Sequence, residues 1–144
     1  MQSVSVFNGS IQVSLRTGPD ICDTTRELDR LIGESKIREG TLNATMVGST
    51  GSLTTIEFES GVIEDLKEAI NGLAPPGAEY AHEKAWHDGN GHSHVQAALL
   101  GPSITLPIRG GSLSLGTWQQ VVAINHDNRP RKRTIEVSIL GIAG

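Results

Sequence analysis

Hydrophobic positions alternate with polar ones at the start of the chain: Val4 and Val6, then Ile11, Val13 and Leu15. A period of two is that of a half-buried strand, and Asn8-Gly9 between the two runs predicts a turn joining a strand pair. Pro19 and Asp20 end this segment. Ile21, Leu28, Leu31 and Ile32 then recur at helical spacing behind a Thr24-x-x-Glu27 capping box, and Gly33 is expected to close that helix. Thr41 to Val47 and Leu53 to Phe58 read as strands on either side of Gly48-Ser49-Thr50-Gly51-Ser52. Ile63, Leu66, Ala69, Ile70 and Leu73 mark a second helix, stopped by Gly72 and Pro75-Pro76. From Gly77 to Ser93 no period is visible. Beyond it, Ile104 to Ile108 and Leu113 with Leu115 alternate again, and Trp118 to Ile124 and Thr134 to Ile142 complete a run of strands, with connections at Arg109-Gly110-Gly111 and His126 to Pro130 short enough for antiparallel neighbours. The expected fold is α+β, one domain over residues 1–144. It has a mostly antiparallel or mixed, β-sandwich-like core of six or seven strands with two or three helices.

A length of 144 residues suits one core, and 37% hydrophobic residues fill it. With only 3% aromatics that core is built from Val, Ile, Leu and Ala. A formal charge of −4 removes general nucleic-acid affinity from the expectations. Cys22 is the single cysteine, which excludes an intrachain disulfide and a multi-cysteine zinc site; it falls at the start of the first predicted helix. The N-terminal residues have no basic segment followed by a long apolar run, and no apolar stretch approaches the roughly 18 residues of a membrane span, so the expected location is cytoplasmic.

Candidate chemistry concentrates between Tyr80 and His94. His82, His87, His92 and His94 are four of the chain's five histidines. Neutral imidazole is the commonest zinc ligand, and Glu83 and Asp88 stand ready to complete a site. His92-Ser93-His94 presents both rings on one side only if the backbone there is extended, because residues two apart share a strand face and not a helix face. Three protein ligands with one open position would be the catalytic pattern. Elsewhere, the small residues of Gly48 to Ser52 turn N–H groups and hydroxyls toward an anion, or form an ordinary turn. Arg129, Arg131 and Arg133 alternate, as phosphate ligands on one face or as a charged edge strand. Glu57 is a base, a ligand or a solvated strand residue, and Trp118 a core or interface anchor or a surface for substrate stacking. No Gly-x-Ser-x-Gly elbow supports covalent hydrolysis.

The run Asp88-Gly89-Asn90-Gly91-His92-Ser93-His94, with Leu99-Leu100-Gly101-Pro102-Ser103, Pro107, Gly111, Gly116-Thr117-Trp118-Gln119 and Asp127-Asn128-Arg129-Pro130-Arg131, resembles the YjbQ-like family, also called the secondary thiamine-phosphate synthase family. The resemblance implies a homotrimeric α+β protein with a site between subunits. It also implies a weak activity joining hydroxymethylpyrimidine diphosphate to thiazole phosphate with release of pyrophosphate. His82 and His94 match the family's recurrent histidines, and Glu57 and Asp65 its recurrent acids. Many similar members carry His-Thr-Thr/Ser-Ala where this chain has Gly48-Ser49-Thr50-Gly51, so His92 or His87 is the candidate replacement ligand. The resulting expectation is a divalent ion, zinc or (with a diphosphate substrate) magnesium, on His82, His92 and His94. Glu57 and Asp88 are the catalytic candidates, and Ser49, Thr50, Asn90, Arg129 and Arg131 the contacts to a small phosphorylated substrate. The alternatives are a metal-dependent hydrolase of a small phosphorylated or cyclic molecule, and a trimeric metal-binding protein without catalysis.

Overall fold

The computed structural model describes residues 2–144. In chain order its elements are β1 (Ser5–Leu15), β2 (Asp20–Asp23), α1 (Thr25–Ser35), β3 (Glu39–Met46), β4 (Gly51–Glu57), α2 (Ser60–Leu73), α3 (Ala81–Trp86), α4 (Gly91–Leu100), β5 (Ser103–Arg109), β6 (Ser112–Leu113), β7 (Gln119–Asn125) and β8 (Arg131–Ile142). Five strands form one antiparallel sheet in the order β1-β8-β3-β5-β6, and three form a second in the order β2-β7-β4.

The α+β, sandwich-like expectation holds, and β7 shows how its layers are made. Val121 and Ala123 point into the core between the sheets, meeting Leu42, Ala44, Ile135, Val137 and Ile139 of the larger sheet and Leu28, Leu31 and Ile32 of α1. Val122 and Ile124 point the other way, against Ile63 and Ile70 of α2. A strand covered on both faces needs no alternation, which is why residues 121–124 are continuously apolar. By contrast β8 alternates buried and exposed positions along most of its length, because only one face meets the core. No helix among the described residues is long and apolar enough to cross a membrane.

Four local expectations are corrected. Asn8-Gly9 is not a turn: β1 runs unbroken and pairs with β8 from Ser5↔Gly141 to Leu15↔Arg131. A Cβ on Gly9 would lie 2.9 Å from Leu31 Cδ2, so this glycine serves the approach of α1 to the strand. Cys22 and Ile21 belong to β2, a strand of four residues too short to display a period. Thr24 occupies the N-cap position of α1, but its hydroxyl donates to Val121 O at 3.0 Å rather than closing a capping box, and the helix passes Gly33 to end at Lys36 in the left-handed conformation. Finally, the stretch from Gly77 to Ser93 is not irregular: it contains α3 and the first turn of α4. The buried side of α4 is Gly91, His92, Ser93, Gln96 and Ala97, largely polar, so hydrophobic periodicity could not reveal it.

Candidate functional site

α3 and α4 meet at a corner that brings two of the sequence-predicted histidines together. The His82 and His94 rings have centroids 4.7 Å apart. Asp88, in the loop between the helices, places a carboxylate oxygen 3.2 Å from His82 Nε2. The corner is fixed by Glu83, whose two carboxylate oxygens accept from Gly89 N at 2.6 Å and Gly91 N at 3.0 Å. His82, Glu83 and Asp88 each offer a ligand atom within 4.8 Å of the others. Desolvation works against the Asp88 anion, yet the Asn90 N–H and the His82 ring hold its carboxyl below the usual range.

His92 does not share that face. The extended backbone expected at His92-Ser93-His94 is instead helical, and two residues along a helix are about 200° apart. His94 lines a cavity of about 280 Å³ with Gly48, Ser49, Gly51, Ala97, Ala98 and Pro102. His92 lines a different one, of about 210 Å³, with Gly77, Ala78, Tyr80, Glu83 and Gly89. It is buried, its Nε2 is 3.3 Å from Ser93 Oγ and its Nδ1 has no partner. Burial pushes its pKa down, so it stays a neutral ring. His87 is exposed at the end of α3 with a left-handed backbone.

Behind the corner lies a buried polar network that reasoning from the sequence largely missed. Ser52 Oγ is 2.8 Å from His126 Nε2, and His126 Nδ1 is 2.9 Å from Gln96 Oε1. The Gln96 amide nitrogen donates to Asn71 Oδ1 and to Ala74 O, which fixes its oxygen toward the imidazole and puts the ring proton on Nδ1. Burial first, then the charge of Arg133 and the neighbouring His92, push the His126 pKa down to about 4. Next to it, Asp127 accepts from Thr50 Oγ1, Arg131 Nε and the Arg129 backbone N–H, all at 3.0 Å. Burial raises the Asp127 pKa, but donors from Asn90, Thr50, Arg131 and Arg129 outweigh it and keep the carboxylate ionised. Arg133 Nη2 donates to Thr50 Oγ1 at 2.5 Å and Asn125 Oδ1 at 2.7 Å.

Several sequence-predicted contacts are thereby accounted for. The Thr50 hydroxyl is buried and engaged by Asp127 and Arg133. Asn90 Oδ1 accepts from the Ser93 hydroxyl and the Asn128 N–H. Arg131 and Arg133 reach the same cluster from one side of β8, whereas Arg129 stands exposed in the turn before it. Ser49 is exposed at the cavity beside His94. Glu57 ends β4 away from the histidines, lining a cavity of about 400 Å³ with Asp23, Phe58, Glu59, Trp118 and Gln120. Trp118 is 72% exposed, which removes the core role and leaves those of interface anchor and stacking surface.

Comparison with known proteins places the chain in a wider group. A family profile described as "UPF0047 protein YjbQ-like" matches residues 9–142. A UPF0047 protein of Methanothermobacter thermautotrophicus is 36% identical over 132 residues, covering 90% of each chain. Among solved structures, a protein of unknown function from Sulfolobus solfataricus P2 superposes with a TM-score of 0.91 at 29% identity, covering 96% of this chain and 99% of its own. A hypothetical protein from Aeropyrum pernix K1 does so with a TM-score of 0.87 at 30% identity, covering 94% and 98%.

Proposed function

The chain belongs to the UPF0047 YjbQ-like family, and from that premise we propose that it is a metal-assisted enzyme acting on a small phosphorylated molecule. The observation that supports this most is His82 at the α3–α4 corner, whose ring centroid lies 4.7 Å from that of His94 and whose Nε2 lies 3.2 Å from an Asp88 oxygen. Two imidazoles and one carboxylate are the donor set of a catalytic zinc site, and they leave a coordination position for water or substrate. Glu83, with both oxygens on backbone N–H groups, orients the loop rather than serving as a further ligand.

The reaction we assign is the joining of hydroxymethylpyrimidine diphosphate to thiazole phosphate. A bond forms between the pyrimidine methylene carbon and the thiazole nitrogen, the methylene C–O bond breaks, and pyrophosphate leaves with the bonding electrons. A divalent ion supplies charge neutralisation on the phosphate oxygens. The protein's part is to position the two substrates and to hold fixed dipoles and cations where negative charge gathers on the leaving group. Ser49 borders the His94 cavity, which supports a role for its hydroxyl as a donor to a phosphate oxygen. Within one chain Glu57 and the histidines line separate cavities, so Glu57 serves this chemistry only across a subunit boundary, as a homotrimer permits. The exposure of Trp86 and Trp118, 71% and 72%, supports such an assembly.

The test is product formation from the two precursors by zinc-loaded protein, compared with the His82→Ala variant. Condensation that falls to background in the variant is the expected result. Hydrolysis of the diphosphate without condensation would replace this reading with the hydrolase alternative.

A further inference from the structure

The two sheets end in four edge strands, and three of them are protected against pairing with another chain. β6 is only two residues long, β2 carries Asp20 and Asp23, and β4 gives its Leu53 N–H to Gly101 O at the end of α4. β1 has none of these devices. Its eleven residues, Ser5–Leu15, include no charge and no proline, and they pair with β8 one to one without a bulge. β8 is its one strand neighbour, and among the described residues its backbone makes no hydrogen bond outside that ladder. Every second residue of an antiparallel strand turns its N–H and C=O away from its partner, so the open side of β1 is a row of unpaired donors and acceptors.

Such a row fits an extended strand, and the side chains of β1 indicate which one. Phe7 and Val13 pack against the core but stay half-buried at this edge, on the same side as Ile11 and Leu15. Asn8, Ser10, Gln12 and Ser14 are exposed on the other side. Laid antiparallel to a copy of itself about a two-fold axis at Ser10, the strand pairs along its whole length. Phe7 of one copy then faces Val13 of the other, Gly9 faces Ile11, and Asn8 faces Gln12. An aromatic ring meets a β-branched side chain, a glycine leaves room for an isoleucine, and two carboxamides come within reach of each other. Opposed residues share a face, so the apolar set stays on the core side in both copies. With no charge in either strand, nothing repels.

We propose that the β1 edge binds a second copy of this chain, strand against antiparallel strand, joining two five-stranded sheets into one. The contact is separate from the metal corner and goes beyond the function assigned above. Acting through a two-fold axis, it doubles whatever unit carries the edge, a single chain or a homotrimer. Eleven residues a side are fewer than the roughly 20–30 of a standard interface, so the pairing is reversible and depends on concentration.

Ser10→Cys tests the register. At the two-fold axis the two Cβ atoms lie about 4.5–5.5 Å apart, and oxidation with copper phenanthroline should link the protein into covalent dimers. Ser14→Cys is the control: its thiols stand about eight residues, roughly 26 Å, apart along the paired strands and should give only the wild-type background. Both variants keep Cys22, whose thiol is pushed up to about 11 by burial and by Asp20 and reacts slowly. Asn8→Lys combined with Gln12→Lys tests the strength, because these exposed positions then bring four ammonium groups together in two like-charged pairs. In sedimentation equilibrium over a concentration series, the wild type should reach twice the mass of this variant. Mixing the variant with Asn8→Glu/Gln12→Glu should restore the doubled mass, which also shows that both are folded. Equal cross-linking of the two cysteine variants, none in Ser10→Cys, equal masses for the wild type and the lysine variant, or no recovery in the mixture would overturn the pairing.

Discussion

His126 makes the stability of this protein depend on pH in a way that can be worked out from its surroundings. It is fully buried between Ser52 and Gln96, and its ring proton sits on Nδ1 facing Gln96. A second proton would go to Nε2, where the partner is a hydroxyl, no carboxylate accepts it, and Arg133 opposes it. The folded pKa is therefore pushed from 6.5 down to about 4. The sign follows: between those values the unfolded chain takes up a proton that the folded chain refuses. The stabilisation is complete above 6.5 and is lost as pH falls toward about 4. The full linkage amounts to roughly 3 kcal/mol, of which about 2.5 kcal/mol is gone at about pH 4.5. His126→Gln keeps a planar polar group of similar size and removes the titration. Urea unfolding of both proteins from about pH 7.5 to about pH 4.5 should show the wild type losing about 2.5 kcal/mol more than the variant, because carboxylates common to both cancel in the difference. Parallel pH profiles for the two proteins would refute the account of a neutral, desolvated imidazole.

Further expectations are simpler. Leu42→Ala, at a fully buried position in the core between the sheets, should cost about 2–5 kcal/mol in chemical denaturation. Gly9→Val should cost about 1–3 kcal/mol by displacing Leu31, whereas a tight turn at this site would have produced a loss of strand pairing visible in amide exchange. Glu59→Ala should lower the melting temperature and Glu59→Asp restore part of it, because the Glu59 carboxylate caps α2 by accepting from Gly61 N and Val62 N. His92→Ala should keep its bound metal in elemental analysis, since His92 faces a cavity other than the one at His94.

What the sequence reveals follows from how each element is covered. α2 and β8 each bury one apolar side, so their periods of 3.6 and two are legible before any coordinates. α4 conceals itself because its inner side is made of Gly, His, Ser and Gln, and β2 because four residues cannot establish a period. At the site, clustering alone singles out His82 and His94, which converge. It also suggests His92, which the helical backbone turns away. The Ser52–His126–Gln96 chain and the Thr50–Asp127–Arg133 group are invisible to local reading. Their partners lie 74 and 30 residues apart in the first case and 77 and 83 in the second, and only the pairing of strands and the packing of α4 against them bring them together. Arg133 is visible as one of three alternating arginines, but its burial beneath Gly48 and Gly51 is a tertiary fact.

The central claim is that His82, His94 and Asp88 hold a divalent ion at the α3–α4 corner. Anomalous diffraction at the zinc edge from crystals grown with zinc tests it most directly. The account predicts one strong peak within about 2.0–2.2 Å of a nitrogen of His82, a nitrogen of His94 and an oxygen of Asp88. A peak on His92, or none at this corner, would contradict it.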